Sequence, residues 1–363
     1  MQYCYVIILS YWNLNMMDAK YSQSQKYNHR KKIELKKSPV EMEYDELDVL
    51  LDFLLTSANL SSKIDYSSDQ INYDKKRRFW LLLKAVYRLF IAQLFYMKYM
   101  KKKVNMLKNL EPAYTALRKT RCLKNLRTYL YLSKVGLTDL AKSVGGKFDD
   151  KLFANFTIAT MLYDASFDIQ VCRKYLKDFD EFIMNDRRIV SQDEYLSLFQ
   201  ESVDYLRDTL GETAFNQFMN YVKIEHISQL MSIYQLSDKY ESKEDLMKIT
   251  FAKGGISALA LMYLMAPNMN EKERKAIYEL GAVMQIIDDI SDMKEDLKTG
   301  ISTLPNKKLL SYQELKKMYS GTVNNLMKKC NMKANRPNGT LDMLCWFDDI
   351  ILEKRYDAYL KSK

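Results

Sequence analysis

The chain has 363 residues, of which 47% are apolar, 28% charged and 12% aromatic. This balance excludes a disordered or fibrous protein and is typical of a folded protein with a large core. Only 10 Gly and 5 Pro occur, and Pro is absent between Ala113 and Ala266. Because a β-sandwich or β-barrel needs turn residues about every ten positions, the composition predicts an all-α protein.

Cysteine and histidine usage excludes several kinds of site. The five Cys are scattered without CxxC spacing, which excludes a zinc motif and a disulfide framework and fits a reducing compartment. Only two His occur, so an HExxH motif is absent, and His226 is interpreted as a surface or hydrogen-bonded helix histidine. No uncharged apolar run is long enough to span a membrane, and residues 4–9 lack the basic flank of a secretion signal. We therefore expect a cytoplasmic protein.

In chain order, residues 1–40 are expected to form a loose N-terminal tail and residues 41–363 a single all-α domain. Helical spacing of apolar residues predicts a bundle of about ten helices, at 41–58, 75–104, 112–134, 149–173, 194–210, 212–239, 242–265, 270–298, 311–331 and 339–361.

The net charge of +10 is concentrated in one part of the chain. Residues 75–127 carry 16 Lys and Arg and one acid, so the rest of the chain is mildly acidic. No nucleic-acid-binding signature accompanies this charge, and nucleic acid is not an expected partner. The segment 75–103 has basic ends, Trp80 and an apolar middle. It predicts either a solvated helix face or peripheral contact with an anionic membrane.

Two acidic patterns follow on helices. Asp164 and Asp168 are spaced i, i+4 in an apolar helix, a pattern that a plain helix surface also produces. Asp288, Asp292 and Asp296 are spaced i, i+4, i+8 and share one face. Stacked carboxylates repel each other unless a cation lies among them, and hard oxygen ligands suit Mg²⁺. The alternative is a solvated acidic face, although five acids in nine residues follow an apolar run here.

The two acidic patterns resemble those of the class I isoprenoid (terpenoid) synthase superfamily. Asp164-xxx-Asp168 is similar to its first motif, and Asp288-Asp289-xx-Asp292-xx-Glu295-Asp296, preceded by Gly281-xxx-Gln285, is similar to its second. The resemblance implies an all-α bundle around a deep apolar active-site cavity. It also implies three Mg²⁺ ions and a prenyl diphosphate, with metal ligands at Asp164, Asp168, Asp288, Asp292 and Asp296 and with Glu295 assisting.

The resemblance extends to two basic positions. Lys253-Gly254-Gly255 stands where related synthases carry a lysine that faces the diphosphate, and Arg355-Tyr356 is similar to a diphosphate-sensing Arg-Tyr pair of bacterial terpene cyclases. Lys253 and Arg355 would neutralise the departing diphosphate, and Tyr356 would accompany them in the active site. Two successive Gly in a helix cost about 2 kcal/mol relative to Ala, which predicts a close backbone approach or a kink near a ligand.

The motif pattern is closest to the large bacterial terpene synthases. It implies a carbon-oxygen lyase that ionises a prenyl diphosphate and cyclises or rearranges the cation. Condensation of two isoprenoid diphosphates, as in trans-prenyltransferases or squalene/phytoene synthases, is the alternative, although the first motif has no Asp-Asp and no following Arg pair. A non-catalytic membrane-surface protein or a helical scaffold also stays open, and a homodimer is compatible with all of these.

Overall fold

The computed structural model describes residues 38–64, 136–168, 170–236 and 242–332, together with residues 340 and 344. Within these ranges the chain forms helices, turns and irregular segments and no strand, which confirms the all-α prediction. Residues 136–143 are helical. The further α-helices are α1 (Tyr44–Ser57), α2 (Asp150–Asp168), α3 (Leu176–Asn185), α4 (Glu194–Leu210), α5 (Glu212–Ser232), α6 (Lys243–Met265), α7 (Glu271–Thr299) and α8 (Tyr312–Lys329).

Capping residues fix where several helices begin. The side chain of Asp193 accepts hydrogen bonds from backbone N–H groups at the start of α4, and Ser242 does the same for α6. Asn270 and Ser311 each form a capping box with the glutamate three residues later. These side chains satisfy N–H groups that have no partner within the helix. The predicted starts at 194, 242, 270 and 311, which these caps mark, fall within one residue of the observed ones, and the start predicted at 212 coincides with that of α5.

Other boundaries differ from the prediction. The helix predicted at 149–173 ends as an α-helix at Asp168, and the one predicted at 212–239 ends at Ser232, each with a 3₁₀ segment beyond it (Gln170–Tyr175 and Ile233–Leu236). The sequence analysis missed α3, a helix of 10 residues that buries Phe179, Phe182 and Ile183. The helices predicted at 75–104 and 112–134, and nearly all of that at 339–361, lie outside the described residues.

The packing places α5 and α6 at the centre of the described part of the chain. Helix α5 contacts α1, α3, α4 and α6, and the most extensive contact between two helices is that of α6 with α7. Helix α2 packs on α4, and α8 packs on α7. From Gly254 to Met265 every residue of α6 is buried, so this half of the helix has no solvent-facing side.

Glycines bring the backbones of α6 and α7 together. A Cβ atom at Gly254 would lie 2.5 Å from the carbonyl oxygen of Gly281, and a Cβ atom at Gly281 would lie 2.3 Å from the carbonyl oxygen of Gly254. A Cβ atom at Gly255 would lie 2.4 Å from the ring of Tyr278 on α7. Only glycine fits at such distances, and the predicted close backbone approach is confirmed.

The N-terminal and basic segments lie mostly outside the described part. Of the predicted tail, only residues 38–40 are described, and there Pro39 is buried and the hydroxyl of Ser38 donates to Asp180. The basic segment 75–103 is outside the described residues, so its predicted membrane contact stays a prediction. Among the helices that the structure describes, none combines the length and apolarity needed to cross a membrane.

Candidate functional site

Four aspartates of the second acidic motif lie on α7. Asp288 is fully buried, Asp289 is 8% exposed, and Asp292 and Asp296 are partly buried. The side-chain amide of Gln285 donates to Oδ1 of Asp289 at 3.1 Å and, at the longer distance of 3.4 Å, to Oδ2 of Asp288. Oδ1 of Asp288 is buried and accepts no hydrogen bond from any described residue. The predicted motif is therefore a buried or half-buried carboxylate cluster and not a solvated helix face.

Burial and mutual repulsion oppose ionisation of this cluster. Burial raises the pKa of Asp288 well above its usual value, and the charges of Asp292, Asp289 and Asp296 raise it further. Burial also raises the pKa of Asp289 to about 6, although Gln285 and the Lys253 ammonium act in the opposite direction. A cation bound among these carboxylates would reverse both shifts.

The Lys253 ammonium lies within electrostatic range of carboxylates on α5 and on α7. It stands on α6 with its side chain partly buried, and its charge lowers the pKa of Asp288 and Asp289 on α7 and of Glu225 on α5. Its effect on both sides places it within electrostatic range of all three groups. The structure thus brings Lys253 within electrostatic range of the second acidic motif, and its predicted role toward a diphosphate stays a prediction.

Glu225 is a residue of this region that the sequence analysis missed. It is fully buried on α5, and burial raises its pKa well above the usual value. Its Oε1 accepts a hydrogen bond of 3.1 Å from the hydroxyl of Ser257, one turn after Lys253 on α6. No second acid lies at helical spacing from Glu225 on α5, and only its burial within electrostatic range of Lys253 makes it notable.

The first acidic motif lies on α2. Asp164 is fully buried. Burial raises the pKa of the hydroxyls of Tyr163 and Tyr195 well above the usual value, and the charge of Asp164 adds to the rise at both. Contacts lead from α2 through α5 and α6 to α7, so that α5 and α6 connect the helices of the two motifs. Of the remaining predicted residues, Asp168 lies on α2 and Glu295 on α7. Arg355 and Tyr356 lie outside the described residues.

A chain of hydrogen bonds joins α2, α5 and α3 beside Asp164. The hydroxyl of Tyr163 lies 2.7 Å from Nδ1 of His226, and Nε2 of His226 lies 2.8 Å from Oδ1 of Asp180. Oδ2 of Asp180 accepts the hydrogen bond from Ser38. Tyr163, His226 and Asp180 are all buried. His226 is therefore a fully hydrogen-bonded core histidine.

An apolar cavity of about 40 Å³ lies between α2, α3, α4 and α5. Its walls include the rings of Phe156, Tyr163, Phe182, Phe199 and Phe218. Pockets that enclose a whole organic ligand are about 300–1,000 Å³, so this cavity alone would not hold a prenyl chain. The deep cavity implied by the resemblance stays a prediction, because residues 65–135 are outside the described part.

The α7 carboxylates fit the chemistry of a Mg²⁺ site. Among the described residues no three metal-ligating side chains already stand close enough to hold an ion. Mg²⁺ needs only one or two carboxylates, however, and fills its other positions with water and substrate phosphate. The oxygen of Asp288 that accepts no hydrogen bond from a described residue, with Asp292 on the following turn, could supply such ligands.

No protein-family model, curated protein or solved structure matches the chain. The acidic motifs and the geometry of α5, α6 and α7 are therefore the observations that bear on function.

Proposed function

We propose that the protein is a Mg²⁺-dependent class I isoprenoid synthase that ionises a prenyl diphosphate. The observation that supports this best is the buried Asp288, which lies in a cluster of like charges and has one oxygen that accepts no hydrogen bond from the described residues. A buried polar atom without a partner costs about 1–3 kcal/mol, and more for a charged group. A cation bound to this cluster would remove that cost by providing a partner for the Asp288 oxygen.

In this proposal Asp288, Asp292 and Asp296 would hold Mg²⁺ from α7 with help from Glu295, and Asp164 and Asp168 would do so from α2. When bound, Mg²⁺ supplies positive charge that stabilises the departing diphosphate. Lys253 would add its ammonium charge beside the α7 cluster, since the pKa values of Asp288 and Asp289 already respond to it. Arg355 would be a second cation for the diphosphate, with Tyr356 next to it.

The reaction would begin with cleavage of the bond between the allylic carbon and the diphosphate oxygen. The electron pair leaves with the diphosphate, and an allylic cation remains. The protein's part is to stabilise the leaving group with fixed charges and to exclude water from the cation. The cation would then cyclise, rearrange or lose a proton.

The proposal can be tested with geranyl, farnesyl and geranylgeranyl diphosphates, measuring release of inorganic pyrophosphate with Mg²⁺ or with EDTA. We expect Mg²⁺-dependent release from the wild-type protein and a loss of about 100-fold or more in Asp288→Asn. The substitution removes a charged ligand of the Mg²⁺ that would stabilise the departing diphosphate. Asp208→Asn, which changes an exposed aspartate on α4, is the matched control and should keep full activity. Equal activity of Asp288→Asn and wild type, with unchanged circular dichroism, would refute the proposal.

The same assay with added isopentenyl diphosphate separates ionisation of one substrate from condensation of two. Longer prenyl diphosphates formed only with isopentenyl diphosphate would assign the protein to the condensing synthases. If no prenyl diphosphate is consumed and calorimetry detects no Mg²⁺ binding, the protein is a helical scaffold or a membrane-surface protein.

A further inference from the structure

Three large aliphatic side chains are exposed at one end of the described part of the helical bundle. Ile233 and Leu236, in the 3₁₀ segment after α5, are 45% and 52% exposed, and Leu297, in the last turns of α7, is 62% exposed. Two hydrogen bonds join these segments. The backbone N–H of Ser302 donates to the carbonyl oxygen of Gln235 at 2.7 Å, and the side-chain amide of Gln235 donates to the carbonyl oxygen of Ser302 at 3.1 Å. The three aliphatic residues therefore lie on neighbouring parts of one surface.

The exposure of Ile233 and Leu236 follows from the geometry of the 3₁₀ segment. A 3₁₀ helix has three residues per turn, so side chains three positions apart lie on the same face. The two residues between them face the protein. Gln235 is buried, and the ring of Tyr234 packs against that of Tyr44 with 5.6 Å between the ring centres. With the inner face fixed in this way, Ile233 and Leu236 lie on the outer face.

The chain around these aliphatic residues is basic. Residues 297–313 contain three Lys and no acid. Lys298 and Lys308 are exposed, and Lys307 is partly exposed. The backbone N–H groups of Lys307 and Lys308 donate to carbonyl oxygens four and three residues earlier, each at 3.0 Å, so both lysines belong to the turn that contains Ser302. We call the six residues of this region the end surface: Ile233, Leu236, Leu297, Lys298, Lys307 and Lys308.

We infer that the end surface docks the protein peripherally on an anionic lipid membrane. Exposed aliphatic side chains beside lysines are typical of segments that lie in the membrane interface, where the aliphatic groups reach the acyl boundary and the lysines contact anionic headgroups. Contacts between proteins instead favour aromatic residues, Met and Arg, and contain little Lys. The end surface therefore fits lipid better than it fits a protein partner. Docking of this kind requires neither the proposed function nor the basic segment 75–103.

The two kinds of side chain would respond differently to salt. Dissolved ions screen the attraction between the lysines and anionic headgroups. The transfer of aliphatic side chains out of water does not depend on their charge, and salt does not screen it. Binding should therefore be strongest on anionic vesicles at low salt, and the weaker binding that is left at high salt should still depend on Leu236 and Leu297.

Sedimentation of the full chain with vesicles of phosphatidylcholine, alone or mixed with phosphatidylserine, tests the inference. The double variant Leu236→Gln, Leu297→Gln should bind mixed vesicles about 10-fold more weakly or worse, because both side chains lose their favourable transfer out of water. Lys308→Gln should weaken binding about 5-fold at low salt and little at high salt. The matched controls are Val190→Gln, which changes a valine that is 91% exposed before α4, and Lys177→Gln, which removes the same charge from the surface of α3. Both controls should bind nearly as wild type does.

All of these positions are exposed, so circular dichroism and the melting temperature should stay as in wild type. Absence of wild-type binding to mixed vesicles at low salt, equal binding to both compositions, an unchanged affinity in the leucine variant, or equal weakening in Val190→Gln would each overturn the inference. A dimer in light scattering that the leucine variant dissociates would also overturn it, since a second copy would then occupy the end surface. None of these measurements uses Mg²⁺ or a prenyl diphosphate, so their outcome is separate from that of the proposed function.

Discussion

The Asp289 carboxyl allows a quantitative test of the cost of burying a carboxylate on α7. Burial raises its pKa from 3.8 to about 6. The folded state therefore binds this proton more tightly than the unfolded state does. The resulting stabilisation is fully present below pH 4 and is lost as the pH rises through about 6. A pKa difference of about two corresponds to about 3 kcal/mol of unfolding free energy.

Replacing Asp289 by Asn removes the charge and with it this loss of stability. At pH 7.5 without metal, we expect Asp289→Asn to be more stable than wild type by up to about 3 kcal/mol. At pH 4 the two proteins should differ little, because the wild-type carboxyl is then protonated. Mg²⁺ at pH 7.5 should stabilise wild type more than the variant, since a bound cation reverses the unfavourable interactions of the cluster.

Urea unfolding followed by circular dichroism provides the measurement, at pH 4 and pH 7.5 with EDTA and at pH 7.5 with Mg²⁺. Asp208→Asn, on the exposed surface of α4, is the control and should show no such dependence on pH. A free-energy difference between Asp289→Asn and wild type that is the same at both pH values would refute the reasoning. So would a variant that is less stable than wild type at pH 7.5.

Two further predictions concern the packing of α6 and the capping of α8. Gly255→Ala should destabilise the protein by about 1–3 kcal/mol, because the new Cβ atom would lie 2.4 Å from the ring of Tyr278. Thermal unfolding measures the effect, and an unchanged melting temperature would contradict the packing of α6 on α7. Ser311→Ala should cost about 1 kcal/mol in urea unfolding through loss of the capping hydrogen bond to the backbone N–H of Glu314, and equal stability would show that this cap contributes nothing.

Local signals explain why so many helix boundaries were predictable. The starts of α4, α6, α7 and α8 are marked by residues whose side chains bond to nearby N–H groups, so the information lies within three residues of each start. The ends of α4 and α7 are also marked locally, by Gly211 and Gly300, which adopt the positive φ angles that often follow the last turn of a helix. The second acidic motif was equally local, because its members lie on successive turns of one helix.

The rest depended on tertiary packing. Helix α3 has the right spacing at Phe179, Phe182 and Ile183, but it is short and follows a 3₁₀ segment, so its periodicity merges with that of its neighbour. Tyr163 and His226 are 63 residues apart in the chain, and His226 and Asp180 are 46 apart. Nothing in the local sequence relates such residues. Their association, like that of Glu225 with Lys253, arises only when α5 packs among its neighbours.

The proposed function gives a reason for the cost of the buried polar groups in this region. Glu225 and Asp288 each bury an oxygen that accepts no hydrogen bond from the described residues, and Tyr278 buries its hydroxyl in the same condition. Apolar residues of similar volume at these positions would make a helical scaffold more stable, because even a paired buried charge often contributes nothing to the free energy of unfolding or lowers it. The chain instead places these groups around α6, on whose exposed side Lys253 keeps partial access to solvent. Under the proposed function, the diphosphate and its Mg²⁺ would enter from that side and provide partners for these buried groups.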